Sequence, residues 1–319
     1  MNTSEAAAAR NYQTTRMVLL RTGRHILMHW RLYVLLLPAF VYVLIFSYFP
    51  MYGIQIAFKN FRNSLGITGS PWVGMKYFEK FFSLPIFWKL LSNTLSITIL
   101  SLFTFPLPII FSLMLNEIRS PRLKKSVQMV SYAPHFISTV VLCSMITLFL
   151  DNSNGGILAR LFTFFTGESV NYLTISSAFP SIVVWSDVWQ NLGWNSIIYL
   201  SALAGVSHEI VEAARIDGAN RLQIVWHVNI PSILPTIMVL LIMRCGSLLN
   251  LGYEKIFLLQ NPLNLDASRV ISTYVYEIGI EGNQFSLSTA IGLFNNVINV
   301  AILALINFVS QKTTENGLW

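Results

Sequence analysis

The chain has 319 residues, of which 54% are hydrophobic and only 11% charged, against about 25% charged in an ordinary soluble domain. A water-soluble surface cannot be built from that composition, and the long, non-alternating apolar runs point to an all-α integral membrane protein rather than a closed barrel. The formal charge of +7 is not a nucleic-acid signal, because Lys and Arg stand at the edges of apolar runs, where they orient spans and meet lipid headgroups.

In chain order, residues 1–31 form a basic leader whose segment Arg10–Arg31 reads either as a basic helix on the inner membrane surface or as a disordered tail. The first apolar run, Leu32–Phe49, has no small-residue cleavage pattern behind it and is read as a retained anchor. A long outer loop follows to residue 93, with a turn-rich stretch at Gly66–Gly74. Residues 94–311 hold five further runs near the 20 residues that a bilayer requires: Thr94–Leu115, Val127–Leu150, Ala178–Val206, Ile233–Leu251 and Leu287–Val309. The total is about six transmembrane helices. Arg119, Arg122, Lys124 and Lys125 crowd the short connection after the second run, so both termini, including the tail 312–319, are expected to face the cytoplasm. Trp72, Trp88 and Trp185 suit the interfacial aromatic belt. Cys143 and Cys245 sit inside apolar runs as small packing residues, and His135 and His227 lack companions at metal-ligand spacing, so no metal site is expected.

Polar side chains within spans are expensive unless they face a cavity or one another. Asp187, Asn191 and Asn195 recur every four residues on the fourth run with Trp194 beside them, giving one polar, aromatic stripe. The fifth run offers Arg244 and Asn250, with Tyr253 and Glu254 near its outer end, and the sixth offers Asn295 and Asn299. Amides, carboxylates and aromatic faces are the mixture that sugars bind. Interhelical hydrogen bonding is the other reading of the same asparagines. Arg244 either neutralises Asp187 or meets the carboxylate of an acidic sugar.

The connection 207–231 carries the functional argument. His208 to Ile216 favours helix, Gly218 suits a left-handed stop, and Asn220 with Gln223 suits a capping box opening a second helix that Pro231 would end. Leu222, Val225 and Trp226 give that second helix an apolar stripe. Such a knob fits either a groove on a partner protein or the lipid surface.

Glu212-Ala213-Ala214, three residues, Gly218, nine residues, then Val228-x-Ile230-Pro231 closely resembles the EAA loop of binding-protein-dependent ABC importer permeases, with Val228 and Ile230 as conservative departures. The segment Gly193 to Leu200 is similar to MalF-like carbohydrate permeases. Phe49 to Ile54, Ala57-Phe58-Lys59 and Gly69 to Gly74 resemble the LplB-like branch associated with polysaccharide fragments. The resemblance implies the MetI-like fold of type I ABC importers with one extra N-terminal helix, and a sugar-importing membrane subunit. Its partners would be a second permease, favouring a heterodimer, two copies of a cytoplasmic ATPase, and an extracytoplasmic solute-binding protein, all at a bacterial plasma membrane. Glu212, Ala213, Ala214, Arg215, Asp217, Gly218 and Pro231 would couple to the ATPase, which would bind the ATP and Mg, since no Walker-type phosphate loop occurs here. No catalytic residues are expected: neither a His-Glu-x-x-His nor a Gly-x-Ser-x-Gly segment occurs. The competing readings are an ion-coupled secondary transporter, which would need a relay of carboxylates where the spans offer only Asp187, and an ABC importer of a non-sugar solute.

Overall fold

The computed structural model describes residues 28–151, 156–167 and 171–314. The basic segment Arg10–Arg31 and the tail 312–319 lie mostly outside them. Among the described residues the secondary structure is helical, with one isolated bridge pairing Lys59 with Trp72. Four helices are long and apolar enough to cross a membrane: α1 (Trp30–Phe58) and α3 (Phe87–Glu117), on either side of the short α2 (Lys76–Phe82) in the chain, then α9 (Arg221–Cys245) and α12 (Phe285–Lys312). Two bent pairs raise this to six: α4 (Pro121–Tyr132) with α5 (Thr139–Leu150) at 98°, and α7 (Phe179–Ala204) with α8 (His208–Ile216) at 73°. Between these lie α6 (Ile157–Thr166), α10 (Tyr253–Leu259) and α11 (Ile271–Tyr276).

The first stretch of α1, Trp30–Val43, has no buried residue. A helix satisfies its own backbone and needs no protein cover in lipid, so a mostly apolar exposed surface suits it. Its far end is pinned: Ala57, Phe78 and Ala290 form one buried cluster, and the Ser286 hydroxyl accepts from the Phe61 N–H at 3.0 Å while donating to the Lys59 carbonyl at 2.7 Å. The second span begins earlier than Thr94, because Phe87 and Leu90 are buried against Ile271, Leu287 and Ile291 and extend the helix by two turns.

Three expectations about helix ends are corrected. The run Val127–Leu150 is not one straight span. The chain tightens into a 3₁₀ turn at Ala133–Phe136 and turns at Ser138, whose hydroxyl caps the Val141 N–H at 3.4 Å. Pro134 removes a ladder donor at that point. Pro231 does not end a helix either: α9 runs unbroken from Arg221 to Cys245. Proline is tolerated there because a wide π turn, Val225–Asn229, precedes it and relieves the clash with the carbonyl four residues back. The fifth span consequently starts at Arg221 rather than Ile233 and stops at Cys245, short of Leu251.

The non-helical segment after Cys245 is held by neighbours. Asn299 on α12 accepts the Leu249 N–H at 3.0 Å, Asn295 donates to the Leu249 carbonyl at 3.2 Å and to the Asn250 side chain at 3.0 Å, and Thr98 on α3 donates to the Leu248 carbonyl at 2.7 Å. Irregular backbone inside a membrane protein survives only with such replacement partners. α7 lies so close to α4 that a Cβ at Gly193 would run into the Ser131 backbone and Tyr132 ring.

Candidate functional site

Two cavities of about 510 and 300 Å³ meet on the inward face of α7. Both are lined by Asp187, Arg244, Ser101 and Ser247. Four residues per step on a helix return to nearly the same face, so Asp187 and Asn191 line the larger cavity while Asn195 lines the smaller. Asn191 is the hub of the stripe. Its side-chain amide donates to Asp187 Oδ1 at 2.9 Å, and its oxygen meets His135 Nδ1 at 2.8 Å. The His135 ring stacks on Trp194, with centroids 4.3 Å apart and planes within 7°. The 3₁₀ turn in the broken third span therefore delivers His135 to the site, which length-based reading of a continuous span could not foresee.

Arg244 and Asp187 line the same cavities, yet they do not form the expected ion pair. Arg244 donates to the Ser101 hydroxyl, and Asp187 pairs instead with Lys255 on α10 at 3.9 Å. The reason is the end of α9 at Cys245: the chain turns back, and α10 brings Lys255 over the stripe. Glu254 and Asn250 line the same cavity, and Gln190 on α7 donates to the Ile137 carbonyl at 2.8 Å. Lys255, Gln190, His135 and Ser101 are lining residues that sequence reasoning missed. For Lys255 the only signal was a lysine directly after Glu254 in an otherwise apolar stretch.

Asn295 and Asn299 follow the interhelical alternative. Both are buried and are used to hold the segment after α9. Asn295 still reaches a third, mainly apolar cavity of about 590 Å³, where Tyr253 stacks on Tyr276 with centroids 5.1 Å apart. No group of three or more His, Cys, Asp or Glu able to hold a metal occurs among the described residues.

At the opposite end of α9 stands the turn. Ser207 caps α8 by accepting the Glu209 N–H at 3.2 Å. Gly218 has φ +84°, and the N–H groups of Gly218 and Ala219 donate to the carbonyls of Arg215 and Ala214 at 3.1 and 2.9 Å. That paired closure is a Schellman motif, which needs a residue at ease in the left-handed region. Asn220 then opens α9 with a complete capping box: its N–H donates to Gln223 Oε1 at 2.7 Å, and its Oδ1 accepts the Gln223 N–H at 2.9 Å. No residue of α8 is buried, and Ile216, Leu222 and Trp226 are 86%, 71% and 65% exposed. Ala214, Asp217, Gly218 and Gln223 border a shallow cleft between the two arms.

Residues 15–315 match the family of binding-protein-dependent transport system inner membrane components. The chain belongs to that family. As a permease subunit it is similar to the protein LplB of Bacillus subtilis, 42% identical over 289 residues that cover 90% of this chain and 91% of the relative. It is similar also to the polygalacturonan/rhamnogalacturonan transport system permease protein YteP of the same organism, 41% identical with 90% of each chain covered. A crystal structure of a bacterial ABC transporter involved in the import of the acidic polysaccharide alginate superposes with a TM-score of 0.84 at 37% identity, covering 92% of this permease and 99% of that chain. The same kind of transporter in complex with an alginate pentasaccharide-bound periplasmic protein gives 0.85 at 36% identity, covering 93% and 100%. The ABC importer permease fold expected from the EAA loop is thereby borne out.

Proposed function

We propose that this permease forms, with a second permease subunit, the translocation path of an ATP-driven oligosaccharide importer of the bacterial plasma membrane, with both termini in the cytoplasm. A solute-binding protein delivers the sugar outside, and two copies of an ATPase, which bind the ATP and Mg, act from within. The observation that supports this reading is one helix joining two features: α9 leaves an exposed Schellman turn and reaches the charged cavity at Arg244.

Ala213, Ala214 and Gly218 let the turn seat closely in a cleft of the ATPase, with Ile216, Leu222 and Trp226 as apolar anchors and Glu212 free to meet a basic group. Arg215 and Asp217 flank that contact, and Pro231 stiffens the helix behind it. ATP-driven closure of the ATPases would draw the two turns of a permease pair together and switch access to the cavity as a rigid-body change. Asp187, Asn191, Asn195, Arg244, Asn250 and Glu254 line the two cavities and supply the hydroxyl partners that a saccharide needs, and Trp194, stacked on His135, supplies an aromatic face beside them. The name of the relative at 41% identity and those of the alginate transporters support fragments of acidic polysaccharide as cargo.

The test is co-purification of the tagged permease from mild detergent, repeated with Glu212→Ala and Gly218→Pro. Recovery of an ATPase and a second permease with the wild type, and loss of the ATPase alone with the variants, is the expected result. Absence of any ATPase from the wild-type preparation would overturn the coupling role.

A further inference from the structure

The 510 Å³ cavity holds charges of both signs at different depths. Arg244 is exposed at the mouth shared by the two cavities and donates to Ser101. Lys255 is the opposite case: its side chain is 13% exposed, and its Nζ makes no hydrogen bond among the described residues. An ammonium has three donors to satisfy, and here its one ionic partner, Asp187, stands at 3.9 Å. Asp187 does not depend on that contact, because Asn191 donates to the same oxygen at 2.9 Å. The pair is loose on one side and replaceable on the other.

Depth decides which cation discriminates. Water and salt screen an exposed charge, whereas a buried one interacts through a low effective dielectric and is poorly screened. A cavity built around a group that needs a partner rejects an analogue lacking that partner far better than an apolar pocket rejects a change of shape.

Resting on the importer reading above, we propose that Lys255 is the specificity residue that makes this cavity prefer an anionic saccharide. The carboxylate of a uronate unit takes the place of Asp187 on the ammonium, and Asp187 stays on Asn191. A neutral sugar of the same size leaves the Lys255 to Asp187 pair as it is and gains nothing from it.

The experiment is ligand binding to the purified transporter without its binding protein, using tri-galacturonate and uncharged tri-galactose as probes. The wild type is expected to bind the acid at least about tenfold more tightly, the lower end of what one hydrogen bond to a charged group contributes. Lys255→Met brings the two probes to parity and Lys255→Arg keeps the preference, both at unchanged melting temperature, and Asp187→Asn tightens the acid alone. An unaltered ratio in Lys255→Met overturns the proposal, as does equal loss of both probes. Equal wild-type affinities refute the role of Lys255 while leaving saccharide transport standing; binding of neither probe removes both.

Discussion

Replacing Gly218 by alanine isolates a purely conformational effect at the turn. Its φ is +84°, and a Cβ built there meets nothing within 4 Å, so there is no clash to relieve and no packing to gain. The remaining term is the left-handed penalty of an L-residue, about 1–2 kcal/mol. At about 1.4 kcal/mol per factor of ten, the formed turn becomes roughly 5- to 30-fold rarer relative to its open states. On the proposed docking role, affinity for the ATPase should fall by that same factor, read by titrating fluorescent ATPase onto the detergent-solubilised permease. Gly218→Asn should fall less, since asparagine tolerates the left-handed region. Gly218→Pro should abolish binding, because proline fixes φ near −65° and deletes the N–H that donates to Arg215. The turn is exposed, so melting temperatures should stay together. Alanine binding as well as glycine, or failing as completely as proline, would refute the reasoning.

Three further substitutions probe the fold that positions the site. Gly193→Ala forces α7 away from the Ser131 backbone and should destabilise by about 1–3 kcal/mol, seen as a lower midpoint in thermal unfolding. Asn299→Leu leaves the buried Leu249 N–H unpaired; a loss of about 1–3 kcal/mol is expected, and hydrogen exchange should quicken at Leu249 before it does in α9. Ser286→Ala removes both bonds that tie residues 59 and 61 to α12, and faster exchange confined to the segment after α1 is the expected readout.

The turn at Gly218 was legible because its determinants are local. Gly218, Asn220 and Gln223 fix a Schellman closure and a capping box within a few residues, and both formed as the spacing implies. The stripe Asp187, Asn191, Asn195 was legible for the same reason, since helical periodicity alone puts it on one face. What failed was pairing across elements. Asp187 found Lys255 rather than Arg244 because α9 stops at Cys245 and the chain doubles back. His135 joined the site because the third span breaks at a 3₁₀ turn, and no hydrophobic run reports a 98° bend between its halves. Pro231 misled for a related reason: a proline reads as a stop unless a π turn before it absorbs the clash, and that turn has no sequence mark.

The same asparagines that were candidates for substrate contact explain how a cavity can be moved by a distant turn. α9 has 25 residues, about 37 Å at 1.5 Å per residue, and carries Gly218 just before its first residue and Arg244 near its last. On the proposed coupling role, displacing the turn would displace the guanidinium. The segment beyond Cys245 does not follow freely, because Asn295, Asn299 and Thr98 fasten it to α12 and α3. Asn250 is held with that segment, and Lys255 lies on the short helix that follows it. On the proposed coupling role, a push on the turn would reach Arg244 through α9, while Asn250 and Lys255 stay with the segment that α12 holds, so the cavity would change shape between two sets of side chains. Burying three polar side chains to fasten one short loop makes physical sense in a fold whose active element ends where the loop begins.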